Sequence, residues 1–186
     1  MPATAQPSAP IDADAVLREW IAREDTVRAQ HGAHPLLDAH AVATLSGLQQ
    51  FEAMLAGTLP RAPFGDTIGM LMVEVAHGRA VFQGRPSRSV YNPMGAVHGG
   101  WFATLLDSAM GCAVHAALPA GRAYTTLELK VNLVRALTDA VPRVRAIGEV
   151  VHMGRQTATA QARLVDAAGR LYAHGTTTCL LFDRPA

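Results

Sequence analysis

The chain has 186 residues, of which 49% are hydrophobic and 17% charged, and its formal net charge is +1. That length fits one ordinary domain plus an extension, with enough apolar side chains for a sizeable core, and the near-neutral charge excludes a general electrostatic pull toward nucleic acid or an anionic membrane. Met1 to Pro10 has neither a basic nor an apolar leader region, and no stretch approaches the roughly 18 uncharged apolar residues of a membrane span, so the expectation is a cytoplasmic protein without membrane or nucleic-acid partners.

From Asp14 to about Gln30, Val16, Leu17, Trp20, Ile21 and Val27 recur at helical spacing, with Asp12 and Asp14 suited to the N-terminal end and His31-Gly32 to the stop. After the break at His34-Pro35, Leu45, Leu48, Phe51 and Leu55 predict a second helix from about Ala39 to Leu55, ended by Gly57 and Pro60. Leu59 to Asp66, with two prolines and a glycine, reads as a connection. It sets a boundary near residue 62, dividing a helical extension, 1–61, from the main domain, 62–186.

Beyond it the period changes. Thr67 to Ala76 and Arg79 to Arg85 are strand-like runs joined by a His77-Gly78 turn. A helix follows from about His98 to Leu118 and stops at Pro119-Ala120-Gly121. Next, Ala123, Thr125, Leu127, Leu129, Val131 and Leu133 alternate with Tyr124, Thr126, Glu128, Lys130, Asn132 and Val134, a strand with one face on a core and with Thr126 on the same face as Glu128. Arg143 to His152, Gln156 to Val165 and Leu171 to Phe182 continue as strands. The order predicts an α+β fold, an antiparallel sheet wrapped around one long central helix. The two cysteines, Cys112 and Cys179, sit in core-like patterns and read as buried free thiols.

The central helix is almost wholly apolar and carries one carboxylate, Asp107. Such a helix is normally buried all round, and an ionised carboxylate there is costly unless paired or given a task. Asn92-x2-Gly95-x2-His98-Gly99-Gly100, followed by Leu105-x-Asp107 and Gly111, and then by Thr126-x-Glu128 in the next strand, resembles the hotdog-fold acyl-CoA thioesterases in their phenylacetyl-CoA thioesterase-like branch. The resemblance covers about residues 62 to 184 and leaves the N-terminal helices unassigned. It implies a hotdog fold, hydrolysis of a medium-chain or aromatic acyl-CoA to the free acid and coenzyme A, and a homodimer, extending to a dimer of dimers, with active sites shared at the interface. Some members of the branch act in aromatic-compound catabolism.

The chemistry has its own logic. Thioester cleavage needs negative charge stabilised on the carbonyl oxygen, and the Gly99 N–H at a helix N-terminus suits that purpose. Without side chains, Gly99 and Gly100 let an acyl group approach the backbone, although the same glycines also permit a turn and tight packing. Asp107 is the proposed general base for water, or a nucleophile forming a transient anhydride; the structural alternative is a carboxylate satisfied by Thr104 or Ser108. Gly99 and Asp107 are separated by roughly 12 Å along the helix and about 80° around it, so one chain does not readily bring both to one carbonyl, whereas a second, antiparallel copy does.

By the resemblance, Asn92 is a site asparagine that hydrogen-bonds the carbonyl or the catalytic water; by its own chemistry it also forms a turn before Pro93. His98 is either a general acid or a loop-fixing hydrogen-bonding group. Thr126 aligns with a hydroxyl that positions water in relatives. Coenzyme A phosphates call for cations: Arg155 resembles the basic position near the pantetheine path, with Arg135, Arg143 and Arg145 as further candidates. No cofactor or metal is expected, since His31, His34 and His40 have no accompanying carboxylate or cysteine set. There is no Gly-x-Ser-x-Gly elbow, which argues against a serine hydrolase. Hotdog dehydratases pair a histidine with a carboxylate near the helix start, and here the carboxylate falls nine residues after His98. The competing reading is a non-catalytic acyl-CoA-binding module or sensor.

Overall fold

A computed structural model describes residues 11–30, 37–38 and 40–184; Met1 to Pro10, the His31-Gly32 stop, the His34-Pro35 break and the histidine pair His31 and His34 lie outside them. Helix α1 (Ala13–Ala29) starts where Asp12 accepts the Ala15 N–H at 3.0 Å. The second helix is shorter than its apolar spacing predicts: α2 is Gly47–Leu55, and His40–Val42 forms only a single 3-10 turn. Ser46 and Gln49 explain the late start, because each side chain bonds the other's backbone N–H in a capping box that fixes the N-terminus there. The connection holds a short helix, α3 (Phe64–Ile68), closed by Gly69 at φ 69°, so the first strand begins at Met70 rather than Thr67.

Strands β1 (Met70–Ala76), β2 (Arg79–Gly84), β3 (Arg122–Leu133), β4 (Val144–Met153), β5 (Thr157–Asp166) and β6 (Leu171–Asp183) form one antiparallel sheet in the order β1-β2-β4-β5-β6-β3. The long helix α4 (Gly99–Ala116) lies between β2 and β3 in the chain and packs in the hollow of that sheet, the hotdog arrangement. Strand alternation divides the two faces. Ala80, Phe82, Val144 and Ala146 join Trp101, Leu105, Leu106 and Met110 of α4 in the main core, each fully buried large side chain worth about 1.5–3 kcal/mol. Gly148 of β4 permits a close approach: a Cβ there would run into the Ala109 carbonyl and the Met110 N–H of α4.

The opposite face takes α1. Val27 packs with Leu71, Val73 and Val81, and Gln83 donates to the Trp20 carbonyl at 3.0 Å and to Glu24 at 2.9 Å. Arg143 donates to Glu24 at 2.5 Å, and the Arg145 guanidinium lies 4.5 Å over the Trp20 ring while pairing with Glu74. Burial alone would raise the Glu24 pKa, but hydrogen bonds from Arg143, Gln83 and Arg28 hold the carboxyl below its ordinary range. Arg143 and Arg145 are therefore both paired with carboxylates at the α1–sheet junction, although Arg143 also borders an open cleft.

Helix α2 covers the β1 edge and leans on the end of α4. His115 Nε2 lies 3.2 Å from Gln50 Oε1, and Phe51 meets the imidazole edge-on at 5.1 Å. Cys179 is buried and Cys112 half-buried, both as free thiols. Among the described residues no helix is long and apolar enough to cross a membrane, and no group of three or more His, Cys, Asp or Glu side chains could hold a metal ion.

Candidate active site

The loop before α4 is built by its own sequence. Asn92 Oδ1 accepts the Met94 N–H at 2.9 Å, the Gly95 N–H donates to the Asn92 carbonyl at 3.2 Å, and the left-handed backbone of Gly95 (φ 82°) turns the chain so that the following Ala96 N–H also reaches Asn92 Oδ1 at 3.4 Å. The turn reading of Asn92 holds: its carboxamide oxygen fixes the turn, and its Nδ2 makes no hydrogen bond among the described residues. Tyr91 steadies the same loop, donating to Asp139 at 2.8 Å and accepting the Asp139 N–H; that hydroxyl, and then Arg88, hold the Asp139 carboxyl below its usual range.

His98 is the N-cap of α4, its Nδ1 accepting the Gly100 N–H at 2.9 Å. That bond requires an unprotonated Nδ1 and ties His98 to helix initiation. It also divides the donors of the helix start: the Gly100 N–H is engaged, whereas the Gly99 N–H has no partner among the described residues. Leu133 of β3 packs against Gly99, its Cδ1 standing 2.9 Å from where a Cβ would be.

Two turns on, Asp107 departs from the expectation of an all-buried helix. Gly100, Ala103, Thr104, Asp107 and Ser108 leave one flank of α4 partly open, and Asp107 itself is half-buried. Its Oδ1 accepts the Thr126 hydroxyl at 3.2 Å. Neither Thr104 nor Ser108 supplies that bond: Thr104 donates to the Gly100 carbonyl at 2.9 Å.

The face of Thr126 is a correction to simple alternation. Thr126 pairs with Cys179 and Glu128 with the adjacent Thr178, so Leu127 is an extra residue, a β-bulge. Thr126 consequently faces α4 beside buried Cys179, while Glu128 faces the other side. Downstream of the bulge the odd residues point toward the helix, which is why Val131 joins the core and Leu133 meets Gly99.

The cations fall at different places. Arg135 lies between Leu133 and Leu137, and Leu137 accepts the Val97 N–H at 2.9 Å, so Arg135 belongs to the Gly99 end of α4. Arg155 belongs to the other end: it shares a shallow cleft with Leu118, Pro119 and Met153, and its carbonyl accepts from Arg122 at 2.8 Å. Alpha-helical rise separates those ends by roughly 27 Å. Sequence reading passed over Arg85 and Arg88, which border a cleft of about 590 Å³ next to the Asn92 loop. Neither the alternation nor the helical period marks them, and only the bend of the chain through Arg85-Pro86-Ser87 brings them there.

The model of the thioesterase superfamily matches residues 94–173, which contain Gly99, Asp107 and Thr126. The chain is similar to a 1,4-dihydroxy-2-naphthoyl-CoA hydrolase of Listeria monocytogenes, with 26% identity over 106 residues, 57% of this chain and 85% of the relative. It is also similar to the solved structures of two proteins from Thermus thermophilus. The TT0310 protein is 30% identical with a TM-score of 0.58, over 64% of this chain and 97% of that one. A phenylacetic acid degradation protein is 29% identical with a TM-score of 0.57, over 64% and 98%. The chain belongs to the thioesterase superfamily and is a thioester hydrolase.

Proposed function

We propose that this member of the thioesterase superfamily hydrolyses a medium-chain or aromatic acyl-CoA to the free acid and coenzyme A, as a homodimer in which each active site draws on both chains. The observation that carries the reading is the division of labour along α4: an unpartnered Gly99 N–H at its start, a free Nδ2 on Asn92 in the loop that leads into it, and a half-buried Asp107 held by Thr126 two turns on. In the proposed site the thioester oxygen accepts from the Gly99 N–H and Asn92 Nδ2, donors already oriented by the helix and the turn. Asp107 of the second copy takes a proton from water as the water oxygen adds to the carbonyl carbon; the tetrahedral species then expels the thiolate, which leaves with that proton. In the alternative in which Asp107 adds directly, water cleaves the resulting anhydride. Thr126 fixes the carboxylate rotamer.

Antiparallel α4 helices also bring the Arg155 end of one chain toward the Gly99 and Arg135 end of the other, giving phosphates cations from both. The aromatic acyl class draws support from the naphthoyl-CoA hydrolase and phenylacetic acid degradation relatives. The test is free-thiol release from short, medium, long and aromatic acyl-CoAs by the wild type and by Asp107→Asn at matched folding. The expected result is turnover of at least one medium-chain or aromatic class and a loss of about 10²-fold or more in the variant. Binding of acyl-CoA by both without hydrolysis would instead establish a binding module.

A further inference from the structure

The N-terminal helices enclose a space that the proposed chemistry does not use. Where α2 covers the β1 edge, Phe51 and Met54 of α2, Met70 and Met72 of β1, Phe82 of β2 and Cys112 of α4 surround a partly open cavity of about 170 Å³. Nearly all of the lining is carbon and sulfur. The cation among its described lining residues, Arg61, is paired with Asp66 at 3.0 Å. A water molecule needs two to four polar partners, which this lining does not supply, whereas an apolar cavity of about 150 Å³ is known to stay dry and to accept benzene. The methionines add adaptability, since their unbranched thioethers re-pack around guests of differing outline. Burial, and then the charge of Asp107, push the Cys112 thiol up to about 12, so it presents itself to the cavity as a small neutral group.

We propose that this cavity is a binding site for a free, compact apolar molecule of roughly one aromatic ring, separate from the thioester site. The separation follows from topology. The cavity is on the β1 edge and Thr126 is on β3, the opposite ends of the strand order β1-β2-β4-β5-β6-β3. On α4, Cys112 and Asp107 are five residues apart, about 140° around the helix, so the helix itself stands between the two places. An acyl tail lying beside Asp107 does not point into the cavity.

Toluene titrated into the full chain tests this. Saturable binding on the order of a millimolar or tighter is expected, with intermolecular NOEs to the methyl groups of Met54, Met70 and Met72. Met54→Trp and Cys112→Leu, which fill the space from two different elements, each weaken binding at least tenfold while retaining cooperative unfolding. A saturating non-hydrolysable alkyl-CoA thioether leaves the isotherm unchanged. Absence of saturable binding, NOEs to other methyls, undiminished affinity in both folded variants, or competition by the thioether would each overturn the proposal.

Discussion

Acidification should destabilise the fold through one imidazole, at the junction of α4 with α2. His115 is 9% exposed, and burial, together with the nearby Arg184 charge, lowers its pKa to about 4. Gln50 Oε1 faces His115 Nε2 and also accepts from Arg184 at 3.3 Å, while Gln50 Nε2 donates to the Leu45 carbonyl at 2.9 Å; Phe51 and the Tyr124 ring fill the remaining surroundings. Among the described residues no carboxylate is placed to meet an imidazolium at this position. In the unfolded chain the same group titrates near the ordinary histidine value of about 6.5. Between that value and about 4 the unfolded state therefore binds more protons than the folded one, and stability rises with pH across this window. Applying the linkage relation to the two pKa values, acidification from pH 7 to pH 5 should remove about 2 kcal/mol. Glu24 and Asp166, whose folded pKa values are lowered, contribute stability that is lost only below the unfolded carboxylate range, so they do not confound the upper window. Urea denaturation of the wild type and of His115→Gln at intervals from pH 7 to pH 5 provides the assay. The wild type should lose about 2 kcal/mol more than the variant over this range; parallel slopes would refute the assignment of the effect to His115.

Two further outcomes follow from backbone geometry. Gly148→Ala should cost about 3 kcal/mol or more in chemical denaturation, because its methyl group meets the α4 backbone at Ala109 and Met110, which has no side-chain freedom to yield. Because the bulge lets Thr126 face α4 with its hydroxyl on Asp107, Thr126→Val should lower kcat by about 10-fold or more with little change in KM; an unchanged kcat would deny Thr126 a positioning role.

The chain order of strands and the central helix was legible because long apolar or alternating runs end at Gly and Pro, as at His77-Gly78 and Pro119-Ala120-Gly121. The start of α2 was not, because apolar spacing continues through Ala39 to Leu45 and the decisive signal is polar, the Ser46–Gln49 capping box. Thr126 shows a different limit. Period-2 counting assigns faces correctly on each side of a bulge and wrongly across it, and a bulge is visible only in the partner strand's register. The inward arginines show a third: Arg143 and Arg145 look like surface cations in sequence, and only the docking of Trp20 and Glu24 explains their use. The motif residues at the helix start were readable because Asn, His and Gly there build their hydrogen bonds from near neighbours, within four residues in each case.

The division of the proposed site between two chains has its own consequence. Leu127, Leu129, Leu133 and Val134, on and just beyond the edge strand β3, are exposed in the single chain, 60%, 38%, 53% and 53% respectively, and Leu133 packs against Gly99 at the start of α4. A second copy against this edge would cover them and bring its own Asp107 to the Gly99 end. Asn92→Asp keeps the Oδ1 that holds the turn and removes the Nδ2 donor, so it should inactivate without unfolding the loop. Asp107→Asn removes the base. If each site takes Asn92 and Gly99 from one chain and Asp107 from the other, a heterodimer of the two variants contains one site with both defects and one with neither. Random exchange of equal amounts makes half of the dimers heterodimers, with one intact site of two, and should restore about a quarter of wild-type activity. If instead a single chain supplied all three groups, every site in the mixture would carry a defect, and activity would stay at the level of the separate variants.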